Sequence, residues 1–250
     1  MRRPSLLAVA IAAAALPVMA FAEPISTPVA VTGTFDRIAS RGDFDVQVRE
    51  GTPASVEILA EPGWAERIEV EVSGGELRLS RKKAFDSARG VVVKVVVPGF
   101  RGLSVGGSGK GTAESGPEPR DVSLAVSGSG DLAWKGTAAA LDLAVSGSGE
   151  LKAACEAGPV KAAISGSGEM KLSGKGESLK AAVSGSGELD AKEFAVKDAN
   201  VSIAGSGDVE VRLAGGTLNA QIAGSGDVTW SGEGKVGSVA TAGSGKVRQR

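Results

Sequence analysis

From residue 103 onward the chain alternates, with apolar residues at every second position and small or polar ones between. Gly-Ser-Gly followed by a charged residue interrupts the alternation eight times, with first glycines at Gly107, Gly128, Gly147, Gly166, Gly185, Gly205, Gly224 and Gly243. The spacings are 21, 19, 19, 19, 20, 19 and 19. Two residues before that glycine stand Val126, Val145, Ile164, Val183, Ile203 and Ile222, and four after it stand Leu132, Leu151, Met170, Leu189, Val209 and Val228. A two-residue period is that of a strand with one buried face, and a helix of period 3.6 could not hold it. Each repeat therefore predicts two short strands flanking a glycine corner. Equivalent strands of successive repeats must stack in parallel for the apolar columns to meet.

Gly/Ser tracts are often flexible linkers, but the apolar columns between the corners reject that reading. A chain reversing between two sheets needs backbone angles that cost a residue with a side chain about 1–2 kcal/mol. Two glycines around one small serine make the reversal compact enough to repeat every ~4.8 Å. Parallel crossovers are overwhelmingly right-handed. The pattern predicts an all-β chain folded as a right-handed parallel β-solenoid, a two-sheeted superhelix of 19–20 residues per coil. Its eight rungs would extend about 38 Å.

Residues 33–102 lack the repeat but keep the alternation in shorter runs: Phe44–Val48, Ser55–Leu59, Ile68–Val72, Glu76–Leu79 and Val91–Val97. Ser73-Gly74-Gly75 is a hairpin signal between two of them. Because a solenoid exposes an apolar end, these runs are expected to form irregular N-terminal coils and a cap, continuous with the ladder of 103–250 in a single domain, 33–250. Residues 23–32 read as a linker. Before it, Met1-Arg2-Arg3, the apolar run from Leu6 to Val18 and Ala20-Phe21-Ala22 spell a signal peptide over 1–22. That run is too short for a membrane span and is interrupted by Pro17. No later segment is apolar enough to cross a bilayer, so the chain is expected to be exported, to the periplasm or the cell surface.

Composition narrows the chemistry. The chain has no His and no Tyr, which excludes Ser-His-Asp and Cys-His catalysis and every His-ligated metal site. No catalytic residue, cofactor or metal site is expected. The 28 basic residues less Arg2 and Arg3 leave 26 against 29 acidic ones, a formal charge of −3, which argues against nucleic acid as a partner. The lone Cys155 rules out an internal disulfide and reads as a small buried apolar residue.

Phe35-Asp36-Arg37-Ile38 and Asp43-Phe44-Asp45-Val46-Gln47-Val48, followed by irregular strands and a ladder of Gly-Ser-Gly-acid corners, resemble the head GIN-domain family of exported bacterial proteins, the auto-transporter adhesin heads. The resemblance covers about residues 33–250. It implies a two-sheeted parallel β-superhelix related to pectin-lyase-like folds, a cell-adhesion role and no assigned catalytic residue. The sequence shows neither a coiled-coil stalk nor a C-terminal membrane barrel, so the chain is not expected to act as an autotransporter by itself.

The candidate binding face is a set of outward positions that carry almost only Ala and Ser: Ala125, Ser127 and Ser129; Ala144, Ser146 and Ser148; Ala163, Ser165 and Ser167; Ala182, Ser184 and Ser186. A solvated face ordinarily carries long charged side chains. A flat face of several rungs can accept an envelope protein, a glycan or a second copy of the chain, unless crowding near the corner is what keeps the residues small. After the corners stand Lys110, Asp131, Glu150, Glu169, Glu188, Asp208, Asp227 and Lys246. At ~4.8 Å each neighbouring acid pair repels by about 0.9 kcal/mol in bulk water, and Lys152, Lys171 and Lys175 are expected to relieve it; a weak calcium edge is the functional alternative. Arg41-Gly42-Asp43 spells an integrin-type tripeptide but reads as turn plus strand start, and Trp134 and Trp230 share one repeat position read as core. At the C-terminus, Lys246, Arg248 and Arg250 are expected to guard an uncapped rung by charge. The leading reading is a non-catalytic binding or adhesion module, and the alternative is a polysaccharide-acting enzyme on a pectin-lyase-like scaffold.

Overall fold

The computed structural model describes residues 23–250; the predicted signal peptide lies outside them. The irregular half is built from short strands: β1 (Ile25–Val29), β2 (Arg37–Gly42), β3 (Asp45–Glu50), β4 (Ser55–Ala60), β5 (Ile68–Ser73), β6 (Glu76–Arg81) and β7 (Val92–Val97). The ladder follows with β8 (Gly102–Gly107), β9 (Lys110–Glu114), β10 (Arg120–Gly128), β11 (Asp131–Gly147), β12 (Glu150–Gly166) and β13 (Glu169–Gly185). It continues through β14 (Glu188–Gly205), β15 (Asp208–Gly224), β16 (Val228–Gly243) and β17 (Val247–Gln249).

The result is a parallel β-solenoid of about eight turns. Equivalent residues of successive repeats face each other in parallel register, as in Leu124–Leu143, Val145–Ile164, Ile164–Val183 and Gly166–Gly185. Each of β11, β12 and β13 is one strand of 17 residues running from corner to corner, not the two short strands expected. The second bend of the coil breaks the inward–outward alternation between Lys135 and Ala140. Its backbone pairs with the next rung as far as Thr137 with Glu156 and Ala138 with Ala157, and the pairing resumes in the same register at Leu141 with Val160. The inward columns merge into one core from Phe35 to Trp230 that includes Trp134 and Cys155.

The two glycines of a corner are required for different reasons. Gly166 has φ +114°, and a Cβ there would lie 2.6 Å from the carbonyl oxygen of Gly147 on the rung before. Gly168 has no positive φ, but its Cβ would meet Val145 Cγ1 at 2.5 Å and the Gly149 oxygen at 2.7 Å. The same contact recurs between Gly187 and Ile164 and between Gly207 and Val183. The β-branched residue before one corner thus fills the space that the second glycine of the next corner leaves open.

In the N-terminal half the coils are stacked out of chain order. β2 lies between β6 and β8, and β3 between β7 and β9, all parallel. The first coil of the sequence therefore sits inside the stack, and the later coil β6–β7 lies outside it. Antiparallel strands finish this end: β5 on β6 through the Gly74-Gly75 hairpin, β4 on β7, and β1 on β4. Residues 25–29 are consequently a cap strand, where the sequence read a linker over 23–32. Ile25, Thr27 and Val29 pair with Ala60, Ile58 and Val56.

Candidate functional site

The Ala/Ser columns form a flat outer wall. Ala125, Ala144, Ala163 and Ala182 stand in register, as do Ser127, Ser146, Ser165 and Ser184. All of these are exposed except Ala125, which is half-buried. Crowding is not the reason they are small, because Gln221 occupies the alanine column one rung beyond Ser202 and is exposed, and Arg41 occupies the serine column. The last serine of each predicted triple departs from the wall. Ser129, Ser148, Ser167 and Ser186 sit on the corner ridge, where the N–H of Ser148 donates to the Gly128 carbonyl at 2.9 Å and that of Ser167 to Gly147 at 2.9 Å. The wall is bordered by Asp142–Lys161, 3.6 Å apart, and by Asn200 and Asn219, joined by an amide hydrogen bond of 3.1 Å.

Along the neighbouring ridge the acidic column is largely neutralised from its own side. Glu150 accepts hydrogen bonds from Lys152 at 2.7 Å and Lys171 at 3.1 Å, and the Lys152 contact first of all holds its carboxyl below the usual range against the opposing effect of burial. Lys171 also pairs with Glu169, which raises the ammonium pKa. Lys175 does not serve this edge, since it pairs with Glu156 instead. Farther along, the Asp208 carboxylate accepts the N–H of Asp227, and the Asp227 carboxylate accepts that of Lys246. Several of these acids thus bond the next rung's backbone or a lysine, and among the described residues no group of three or more His, Cys, Asp or Glu is placed to hold a metal ion.

The other readings resolve into structure. Asp43 of the Arg-Gly-Asp tripeptide accepts hydrogen bonds from the Ser87 hydroxyl at 2.6 Å and the Ala88 N–H at 3.0 Å, with Arg81 3.5 Å away. Its carboxylate is spent inside the chain. Trp134 and Trp230 are buried, in the core as their shared repeat position reads. Cys155 is buried, and desolvation pushes its thiol up to about 12.

One feature escaped the sequence. On the opposite outer wall a groove of about 560 Å³ runs across β9 to β14, between Thr112, Ala133, Lys152 and Lys171 on one side and Glu114, Lys135, Ala154 and Ser173 on the other. Glu193 stands at its end, raised by an irregularity in β14 between Ala191 and Ala195. The spacing of 20 between Gly185 and Gly205 was the available signal for that extra residue.

The family model described as "Putative auto-transporter adhesin, head GIN domain" matches residues 34–234. Similar solved structures include a "putative adhesin" from Parabacteroides distasonis (21% identity, TM-score 0.82, covering 92% of this chain and 98% of that one). Another is a "putative adhesin" from Parabacteroides merdae (20%, 0.81, 91% and 96%). A third is a "putative lipid binding protein" from Parabacteroides distasonis (21%, 0.80, 91% and 97%). No protein with a curated description matches the chain.

Proposed function

The chain belongs to the auto-transporter adhesin head GIN-domain family, and from that premise we propose that it is a non-catalytic, exported binding module of the bacterial envelope that engages its partner through the flat Ala/Ser wall. The observation that carries this reading is the run of in-register Ala and Ser over four rungs, all exposed but Ala125, in columns where larger side chains fit. Such a wall holds little side-chain entropy to lose on contact and lets another surface approach the sheet closely. An envelope protein or glycan is the partner it suits. The enzyme alternative is disfavoured because glycosidases need two carboxyl groups in unlike environments, whereas the six corner acids repeat one position and Glu150, Glu169 and Asp190 are each paired with a lysine.

The test is retention of the mature chain on isolated envelope fractions. Replacing Ala144, Ala163 and Ala182 by Arg should reduce retention at least about tenfold while leaving the melting temperature unchanged. Undiminished retention would remove the wall from the reading. Turnover of a polysaccharide that a single carboxylate substitution abolishes would replace the binding module with an enzyme.

A further inference from the structure

The groove on the wall opposite the Ala/Ser face has no part in the reading above. Two outward columns line it, and on successive rungs one member is short where the other is long. On β11 Ala133 lies beside Lys135, on β12 Ala154 beside Lys152, and on β13 Ser173 beside Lys171. The short side changes column between β11 and β12, so the floor runs obliquely across the sheet, with Lys135 on one rim and Lys152 and Lys171 on the other. On β14 both positions are charged, Asp190 and Glu193, because the irregularity between Ala191 and Ala195 re-aims the chain there, and the groove closes. In the other direction it stays open. A second cavity of about 370 Å³, which shares Thr112 and Glu114 with the first, carries it past Gln47 onto Lys94. The stack β7, β3, β9, β11, β12, β13 and β14 takes part, and steps of ~4.8 Å from strand to strand make a trough about 29 Å long.

That length suits a chain polymer better than a single small molecule. Its charge is balanced, since Lys135, Lys152 and Lys171 face Glu114, Asp190 and Glu193, and a ligand of either sign meets as much repulsion as attraction. Part of that charge is already engaged: Lys152 by Glu150, Lys171 by Glu169 and Asp190 by Lys192. A neutral polyhydroxyl chain uses both kinds of group, because carboxylates accept from its hydroxyls and ammoniums donate to them. Its C–H faces rest on the exposed Ala133 and Ala154 and on the lysine stems. An extended peptide is served less well. The groove crosses strands whose backbone groups are paired with the rungs on both sides, so a peptide laid along it finds no backbone partner for the donor and acceptor that each of its residues carries.

We propose that this groove is a binding site for a linear neutral glycan, laid along the axis of the rod with its hydroxyls between the two rims and one end stopped at Glu193. The site is separate from the Ala/Ser wall and does not rest on the function proposed for it. Where both faces are engaged, the module holds a glycan on one side and the partner of the wall on the other.

The experiment is saturation-transfer NMR and calorimetric titration of the mature chain with linear hexasaccharides of glucose, mannose, galactose, xylose and N-acetylglucosamine. The series reaches roughly 10 mM, because an open groove buries less of its ligand than a closed pocket. At least one hexasaccharide should bind, and at least about tenfold tighter than its disaccharide, since the contacts are spread over several rungs. Ala133→Arg with Ala154→Arg fills the floor at two exposed positions and should abolish binding without lowering the melting temperature. Lys135→Ala with Glu193→Ala, which adds no bulk, should weaken binding at least about fivefold. The Ala144, Ala163 and Ala182 to Arg variant should bind like the parent. No binding by any of the five hexasaccharides, binding that survives in the filled-floor variant, or binding lost in the wall variant would each overturn the proposal. So would tighter binding of a hexamer of galacturonate or of glucosamine, or of a mixed library of seven-residue peptides, than of every neutral hexasaccharide. Retention on envelope fractions scores the wall and oligosaccharide titration scores the groove, so either reading fails without the other.

Discussion

Replacing Gly185 by Ala separates two costs that most glycine corners combine. Gly185 has φ +111°, and its Cβ would stand 2.5 Å from the Gly166 carbonyl oxygen. Gly215, at an irregularity in β15, has φ +102° with no atom within 4 Å of the added carbon. Both changes carry the strain of a backbone region that side chains avoid, about 1–3 kcal/mol, less the 0.4–1 kcal/mol gained from restricting the unfolded chain. Gly215→Ala should therefore cost about 1–2 kcal/mol. Gly185 sits between the Gly166 and Gly205 rungs and cannot move away from its clash, which adds about 1–3 kcal/mol of overpacking. The expected loss there is about 2–5 kcal/mol. Urea unfolding followed by tryptophan fluorescence reads both, with Trp134 on β11 and Trp230 on β16 reporting from either side of the substitution. Equal losses at Gly185 and Gly215 would refute close stacking of corner on corner as the reason for the glycine.

The ladder was legible because one period fixed everything local to it. The columns of Val126, Val145, Ile164 and Val183 could be buried only if identical positions met, and one corner chemistry served every rung. The second bend left no such mark. It falls among unrelated residues such as Lys135-Gly136-Thr137 and Glu156-Ala157-Gly158, and the ladder through it is held by backbone pairing that side-chain identity does not report. The stacking order of the first coils was likewise hidden. Alternation in Asp45–Glu50 says that a strand has a buried face, but not that its neighbours are Val92–Val97 on one side and Lys110–Glu114 on the other, pairings far apart in sequence. Ile25–Val29 looked like linker because a five-residue strand with Pro28 is weak on its own and exists through its pairing with β4. The wall residues were identifiable by type, yet only the exposed Gln221 and Arg41 in the same columns show that their small size is not forced by space.

Three further tests address the ridge, the core and the N-terminal coil. Millimolar calcium should raise the melting temperature by less than about 5 °C, since Glu150 and Glu169 are engaged by lysines; a larger rise lost on replacing Glu150, Glu169 and Glu188 together would restore the metal reading. Cys155, buried and with its thiol pushed up to about 12, should react with a thiol reagent at pH 8 only as fast as the ladder opens, and rapid stoichiometric labelling of the native protein would contradict its placement. Asp43→Asn probes the joint between the loop at Ser87 and the coil β2–β3. Burial pushes the Asp43 carboxyl up, but the hydrogen bonds from Ser87 and Ala88 and the nearby Arg81 outweigh it and hold the group below its ordinary value. A depressed folded-state pKa contributes stability that is fully present above the ordinary carboxylate range and is lost as pH falls through the folded value. Asp43→Asn should therefore lower stability by about 1–3 kcal/mol at pH 7, and the gap between variant and parent should narrow once the pH falls below about 4. The measurement is paired urea titration of both proteins at neutral and acidic pH. A gap of the same size at both would mean that Asn fails for steric reasons and that the charge on Asp43 contributes nothing to the joint.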